Sequence, residues 1–578
     1  MVSRPVTTRS ISRSVLLISA LGAALGAGCS QGPGAGPGTP GTPAPGAATL
    51  VLVGGDVRTI DPERPAATAV AIAGDRIALV GGDAEVRRLA GPGARVIELG
   101  GKTVTPGLID AHCHLYGLGA DLEMVSVRGL PSEAATVAAV TAAAAGRPAG
   151  EWLVGRGWDQ NRWPGQAFPT RAALDAAVGD RPVLLRRIDG HAVWVNSQAL
   201  AAAKVTAATP DPKGGKIVRG PGGEPTGVLI DNAADLVDAV VPAPPAEVRE
   251  RRIRAAARRA IEVGLTGVHD MGIDDATAAV YRQLAARGEL PLRVYGLLSG
   301  DPANIERLRR GPDPATDRFE LRAVKFFADG ALGSRGARLY TDYTDDRGNR
   351  GLWVTEPERL AFAVEVATSA GWQVAVHAIG DAAIGSVIDA ITAAHKKYPG
   401  EHRPRIEHLQ ILAPDDVPRL VETRAIASMQ PTHATSDMPW AEQRLGPERI
   451  KGAYAWRTVL DKGIPLAAGS DFPVEEVSPL LGIYAAVTRQ DGSGTPPGGW
   501  YPRQRMTLDE AITAFTYGAA YAGFAEGSRG RIAVGRLADL TVLDGAIAAD
   551  RSLLERKAAL TIVGGQIVHE ARPGSGAR

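Results

Sequence analysis

Between residues 106 and 527 the chain repeats one pattern: a short apolar run, a turn, then a stretch with helical periodicity. The apolar runs fall at residues 104–109, 182–185, 266–269, 322–327, 373–377, 405–408, 425–429 and 465–468, with helical stretches such as 246–263 and 357–370 between them. Strands that alternate with helices pair in parallel, and eight such units close into a (β/α)8 TIM barrel. The chemistry of that architecture sits where the strands end, at their carboxyl termini. Residues 119–241 are too long for one unit and predict an inserted subdomain over the barrel mouth.

The two ends of the chain differ from the middle. Short β-like runs at 49–53, 69–72, 76–80 and 95–99 reappear only at 538–543, 559–563 and 566–568, separated by Gly- and Asp-containing turns. They predict one small composite β-sandwich assembled from 49–105 and 528–572, flanking a barrel at 106–527. Before it, Arg4, Arg9 and Arg13 precede an apolar or small-residue run at 15–28, the layout of a secretory signal and too short to span a bilayer comfortably. The run ends Leu25-Gly26-Ala27-Gly28-Cys29 and resembles a bacterial lipoprotein signal, although Gly26 stands where a branched residue is usual. That resemblance implies export from a bacterial cytoplasm and a lipid anchor on Cys29, or secretion if Cys29 is not acylated. Residues 29–48, rich in Gly, Pro, Ala and Thr and without charge, read as a spacer.

Composition narrows the function. The formal charge is +1, and without the three leader arginines it is −2, so neither nucleic acid nor an anionic membrane surface is implied as a partner. A lipid on Cys29 would be the one tie to a membrane. With only Cys29 and Cys113, a disulfide framework and a four-thiolate zinc site are both excluded.

The candidate ligands cluster at strand ends. Asp110-Ala111-His112-Cys113-His114 follows the first apolar run, and on a strand His112 and His114 share a face. Lys325 lies in the fourth run, His377 and His408 close the fifth and sixth, and Asp471 follows the eighth after Gly469-Ser470. Any one of these is as readily a core or turn residue; their recurrence at one rim points to a divalent metal site. Lys325 is the odd member, since an ammonium beside a metal is costly to bury. Carboxylation to a carbamate would make it an anionic bridge between two ions, whereas a salt bridge to a nearby acid is the structural alternative. Cys113 faces the other way and reads as packing.

Five segments, at 106–114, 325–335, 376–381, 405–408 and 469–473, together resemble the metal-dependent amidohydrolase superfamily. Gly157-Trp158-Asp159-Gln160, residues 189–196 and Gln430-Pro431-Thr432-His433 are similar to the branch of amidohydrolase family 3 that contains N-substituted formamide deformylase. The resemblance implies hydrolysis of a C–N bond in a small molecule by a hydroxide formed on one or two divalent ions, usually zinc. It places His112 and His114 on the more buried ion, His377 and His408 on the second, and Lys325 as carbamate between them. Asp471 would be both ligand and proton shuttle. His191 or His433 is a candidate oxyanion donor or a structural histidine, and Trp158, Asp159, Trp194 and Arg335 are candidates to shape the substrate pocket or merely to pack it. Two alternatives stay open: a mononuclear, deaminase-like hydrolase with Lys325 unmodified, and a non-catalytic lipid-anchored binding protein on a degenerate barrel. A homodimer is compatible with an exposed barrel face.

Overall fold

Eight parallel strands follow one another around a single sheet: Leu108–Cys113, Leu265–Ile273, Arg293–Ser299, Phe319–Phe327, Gln373–Ala378, Arg405–His408, Ile426–Met429 and Leu466–Ala468. The computed structural model describes residues 47–147, 150–301 and 305–572; the leader and nearly all of the spacer expected at 1–48 lie outside the described residues. Helices Ala246–Glu262, Asp275–Ala286, Pro357–Ser369 and Asp381–Lys397 pack on the sheet's outer face. In each, alanine and β-branched or leucine side chains dominate the buried stripe while polar and charged side chains lie mainly on the other side. The whole is a (β/α)8 barrel.

One expected strand is misplaced. Residues 182–185 form part of Val183–Arg187 in the inserted sheet, and the third barrel strand is Arg293–Ser299. Both runs are apolar and short, so hydrophobic pattern alone does not rank them. Gly296 in the middle of Arg293–Ser299 weakens its strand signal. It is there because a Cβ would meet Ile273 Cδ1 at 2.9 Å and a ring carbon of Phe319 at 3.1 Å.

The seam between the last and first strands closes through side chains and loop backbone. Asp110 accepts hydrogen bonds from the backbone of His112 (3.0 Å) and Ser470 (3.1 Å) and from the Ser470 hydroxyl (2.6 Å). The Asp471 amide donates to the His112 carbonyl (2.7 Å) and the His114 amide to the Phe472 carbonyl (2.8 Å). Gly469 makes this approach possible, since a Cβ there would sit 2.4 Å from the His112 nitrogen.

Both chain ends build two sheets beside the barrel. One has the order Arg76–Gly81, Ala69–Ala73, Ala48–Val53, Ala90–Glu98; the other runs Gln566–Glu570, Ala558–Val563, Leu540–Leu543, Thr103–Pro106, Asp56–Arg58, Ala66–Ala67. Leu50, Leu52, Val70 and Ile72 from the first meet Val104, Leu540, Val542 and Ile562 from the second in one core, the arrangement of a β-sandwich. Thr103–Pro106 runs through Gly107 directly into the first barrel strand, which ties the sandwich to the catalytic face's scaffold.

Between the first barrel strand and helix Ala246–Glu262 lies a second six-stranded sheet, ordered Gly215–Arg219, Pro225–Asp231, Ala192–Val195, Val183–Arg187, Leu153–Trp158, Val125–Ser126. Its two faces carry separate apolar clusters, one around Trp158, Trp163 and Trp194 and one around Leu184, Val193 and Leu229.

Replacing Gly469 by Ala forces backbone apart at the seam. We expect Gly469→Ala to cost about 1–3 kcal/mol, read as a lower thermal midpoint, whereas Gly492→Ala, with open space around it, leaves the midpoint in place.

Candidate metal centre and active site

His112 and His114 leave the first strand toward the same oxygen. Their Nε2 atoms lie 3.5 and 3.3 Å from Asp471 Oδ1, which arrives from the loop after the eighth strand. Asp471 holds a left-handed φ of 64°, and that bend turns its carboxylate inward. His408 reaches the same space by a similar device. Alternation along Arg405–His408 places Arg405 and Glu407 on the inner face, so His408 would point outward, but its φ of 72° brings the ring back. The His408 ring then stands 4.6 Å from both His112 and His377, centre to centre. Lys325, on the inner face of the fourth strand, places its Nζ 3.4 Å from His112 Nε2.

Electrostatics suit a cation here. Burial pushes His112, His377 and His408 below the usual imidazole range, which keeps them neutral, as ligation requires. Burial also lowers the Lys325 ammonium to about 8. For Asp471, burial alone would raise the carboxyl, but the imidazoles of His112, His114 and His433 hold it well below the usual carboxylate range. Its Oδ1 is nevertheless buried with no hydrogen-bond partner among the described residues. An orphaned anionic oxygen beside two imidazole nitrogens is the donor set of a divalent ion, and the ligand atoms of His112, His114 and Asp471 lie within 4.8 Å of one another.

A second grouping, His408, His433 and Asp471, satisfies the same distance criterion. His433 fits a ligand's role poorly, because both its nitrogens are taken: Nε2 by Asp471 Oδ2 and Nδ1 by Glu475 Oε1, each at 3.2 Å. Burial opposes charge on this ring, yet the two carboxylates raise it well above the usual imidazole value. These two contacts hold the ring beside the Asp471 carboxylate.

Beneath the ligands lies a layer the sequence reading did not assign. Glu407 Oε2 takes His112 Nδ1 at 2.5 Å, and Arg405 Nε lies 2.7 Å from Glu407 Oε1. Arg405 in turn reaches the Ala111 carbonyl (2.6 Å), Ser428 (3.0 Å) and His269 (2.9 Å). Burial would raise Glu407, but Arg405 and His112 drive it far below the usual carboxylate range, so it stays ionised. An anion on Nδ1 places the proton there and leaves Nε2 as the ligand atom. Gln430 does the same for His408, with Oε1 2.8 Å from its Nδ1. Period-two alternation from Arg405 could have identified Glu407, since the two share a face.

A cavity of about 1100 Å³ opens above these groups, and the inserted sheet supplies its far wall. Asp159 and His191 line it, as do His114, Lys325, His377, His408, His433 and Asp471. His191 lies 5.1 Å from His377 between ring centres and binds Asp231 Oδ1 through Nδ1 at 2.7 Å. Burial works against its charge, and Asp231 outweighs burial and raises it. Three other expected pocket residues, Trp158, Trp194 and Arg335, are elsewhere. Trp158 is 1% exposed in the inserted sheet's core and donates its indole N–H to the Leu185 carbonyl, with Trp194 edge-on against it. Arg335 pairs with Asp345 at 2.9 Å and does not line the cavity. Aromatic bulk in a loop-like sequence signalled packing of the roof rather than contact with substrate. Cys113 is buried and donates its thiol to the His269 carbonyl, away from the ligands.

A family model described as the amidohydrolase family matches residues 95–569. The chain belongs to the amidohydrolase family. A Bacillus subtilis (strain 168) relative, YtcJ, is 38% identical over 83% of this chain and 91% of its own length. The N-substituted formamide deformylase of Arthrobacter pascens is 30% identical over 86% of this chain and 93% of its own. Among solved structures, an uncharacterized metal-dependent hydrolase from Pyrococcus furiosus superposes with a TM-score of 0.68 at 30% identity, covering 86% of this chain and 99% of that one. This amidohydrolase therefore has the fold and the hydrolase membership of its relatives, and the family implies a divalent metal.

Glu407→Gln keeps the size of the side chain but removes the anion behind His112. We expect metal affinity to fall by about 10–100-fold, measured by competition with a chromogenic chelator; unchanged affinity would remove Glu407 from the metal-tuning layer.

Proposed function

We propose that this amidohydrolase cleaves a C–N bond of amide, formamide or carbamate type in a small molecule, at a centre that would hold one or two zinc ions with Lys325 as a carbamate among its ligands. The observation that carries the reading is the buried, partnerless Oδ1 of Asp471 between His112 and His114. Bound there, a divalent cation supplies Lewis acidity toward a carbonyl and lowers the pKa of coordinated water.

The chain's own groups supply the rest. Asp471 is placed to take the proton of the attacking water and hand it to the departing nitrogen. His433, clamped between Asp471 and Glu475, keeps the Asp471 carboxylate oriented while that proton moves. His191, held by Asp231, presents a positive edge to the cavity beside His377, where negative charge on a former carbonyl oxygen would build. The Lys325 amine, buried and 3.4 Å from His112 Nε2, has no carboxylate in hydrogen-bond contact among the described residues, so the salt-bridge alternative lacks a close partner. Loss of one proton from the Lys325 ammonium, then addition of carbon dioxide to the free amine with release of a second proton, would convert a buried cation into an anion of the sign the site needs. A formamide-type substrate is supported by the Arthrobacter relative, an N-substituted formamide deformylase. A small-molecule substrate is supported by a walled cavity of about 1100 Å³. Export and anchoring through a lipid on Cys29 rest on the amino-terminal sequence alone.

Purified protein should carry one to two equivalents of zinc or a similar ion, and mass spectrometry under native conditions should show a carbon dioxide adduct on Lys325. Asp471→Ala and His112→Ala should each lower hydrolysis by at least about a hundredfold. Full activity in both, or full metal content and activity in Lys325→Ala, would overturn the assigned roles. Cys29→Ser should move the protein from the membrane to the soluble fraction.

A further inference from the structure

Three guanidinium groups crowd the wall that the inserted sheet presents to the cavity. Arg156 and Arg186 are register partners on adjacent parallel strands, and Arg156 also pairs with Ser126 of the edge strand that leads into Arg128. Gly157 draws Arg128 close: at φ 114° its missing Cβ would stand 2.7 Å from the Arg128 nitrogen. All three arginines line the cavity. Like charges side by side on neighbouring strands repel, so this arrangement calls for negative charge nearby.

Arg186 has its counter-charge in Asp238, held through both carboxylate oxygens at 2.6 and 2.7 Å. Arg128 turns instead to carbonyls, those of Pro473 and Val474, immediately after Asp471. Arg156 is the least satisfied. One Nη donates to the Ile188 carbonyl at 2.9 Å, its Nε is buried without a hydrogen-bond partner, and the nearest carboxylate, Asp121, stands 4.0 Å away. Burial, together with the charges of Arg186 and Arg128, lowers Arg156 to about 10. Nothing in the packing of the sheet requires a guanidinium at this position, since neighbouring Val154 and Leu184 show that the same face accepts apolar side chains.

We propose that Arg156, backed by Arg128, receives a carboxylate of the substrate, so that the amidohydrolase prefers amide-type compounds bearing an acid group over neutral ones. The inference rests on the hydrolase reading above and adds the charge of the substrate to it. A carboxylate accepts two N–H bonds from one guanidinium, and the Arg156 Nη group that carries no hydrogen bond among the described residues is one such donor on the cavity wall. The Arg128 bonds to Pro473 and Val474 fix this anion site relative to the loop that carries Asp471, so a substrate held by its acid group spans a set distance to the reacting centre.

The test compares N-formyl-leucine with N-(3-methylbutyl)formamide, which differ by the carboxylate, on zinc-loaded full-length protein, with calorimetric binding of N-formyl-leucine as a second readout. The ratio of kcat/KM for the acid over the neutral compound should exceed ten and should drop at least about tenfold in Arg156→Met, with partial recovery in Arg156→Lys. Hydrolysis of both at equal efficiency, or a ratio unmoved by Arg156→Met in a variant with wild-type thermal midpoint, would overturn the anion site while leaving the hydrolase reading intact. Should neither compound be cleaved, the formamide reading fails and calorimetry decides the inference alone: binding of N-formyl-leucine lost in Arg156→Met supports it, and binding unchanged in that variant overturns it.

Discussion

The hydrogen bonds of Asp110 hold this molecule's chemistry together. One buried carboxylate accepts from His112, from the Ser470 amide and from the Ser470 hydroxyl, and so joins the first barrel strand to the loop after the eighth. The residues on either side of that joint are His112, His114 and Asp471, the three groups that point at a common cation position. Closing the barrel and assembling the ligands are thus one event. Burial raises Asp110 to about 7, so part of the folding free energy is spent keeping this acid inside, and the three donors around it offset that cost.

A second constraint lies under the ligands. Arg405, Glu407 and His269 form a polar layer inside a barrel that elsewhere is filled by Met271, Leu297, Ala323 and Ala375. Buried ion pairs seldom add much stability, and removing one partner leaves the other charge stranded. Here the pair has a definite consequence: an ionised Glu407 fixes which nitrogen of His112 is free. Metal affinity and barrel interior are linked through a single imidazole.

The inserted sheet completes the site from above. It brings Asp159, Arg156, Arg186 and His191 over ligands that come from the barrel, while Trp158, Trp163 and Trp194 hold the sheet's far face together. The candidate ligands and the charged wall that faces them therefore sit on different parts of the chain, the first on barrel strand ends and the loops after them, the second on the inserted sheet.

The sequence by itself determined the barrel and the sandwich built from both ends, because strand and helix periodicities are local properties of the chain. It also marked His112, His114, Lys325, His377, His408 and Asp471, since each falls at or near a strand's carboxyl end and a barrel gathers such ends at one rim. It took residues 182–185 as a barrel strand and passed over 293–299, because two short apolar runs look alike until their neighbours are known. Only the tertiary structure decided which side chains stand behind the ligands and which way bulky residues turn. Glu407 acts on His112 across 295 positions, and Trp158 differs from Asp159 in facing a core rather than the cavity. Such facts depend on which surfaces meet, and no local pattern encodes a meeting of distant surfaces.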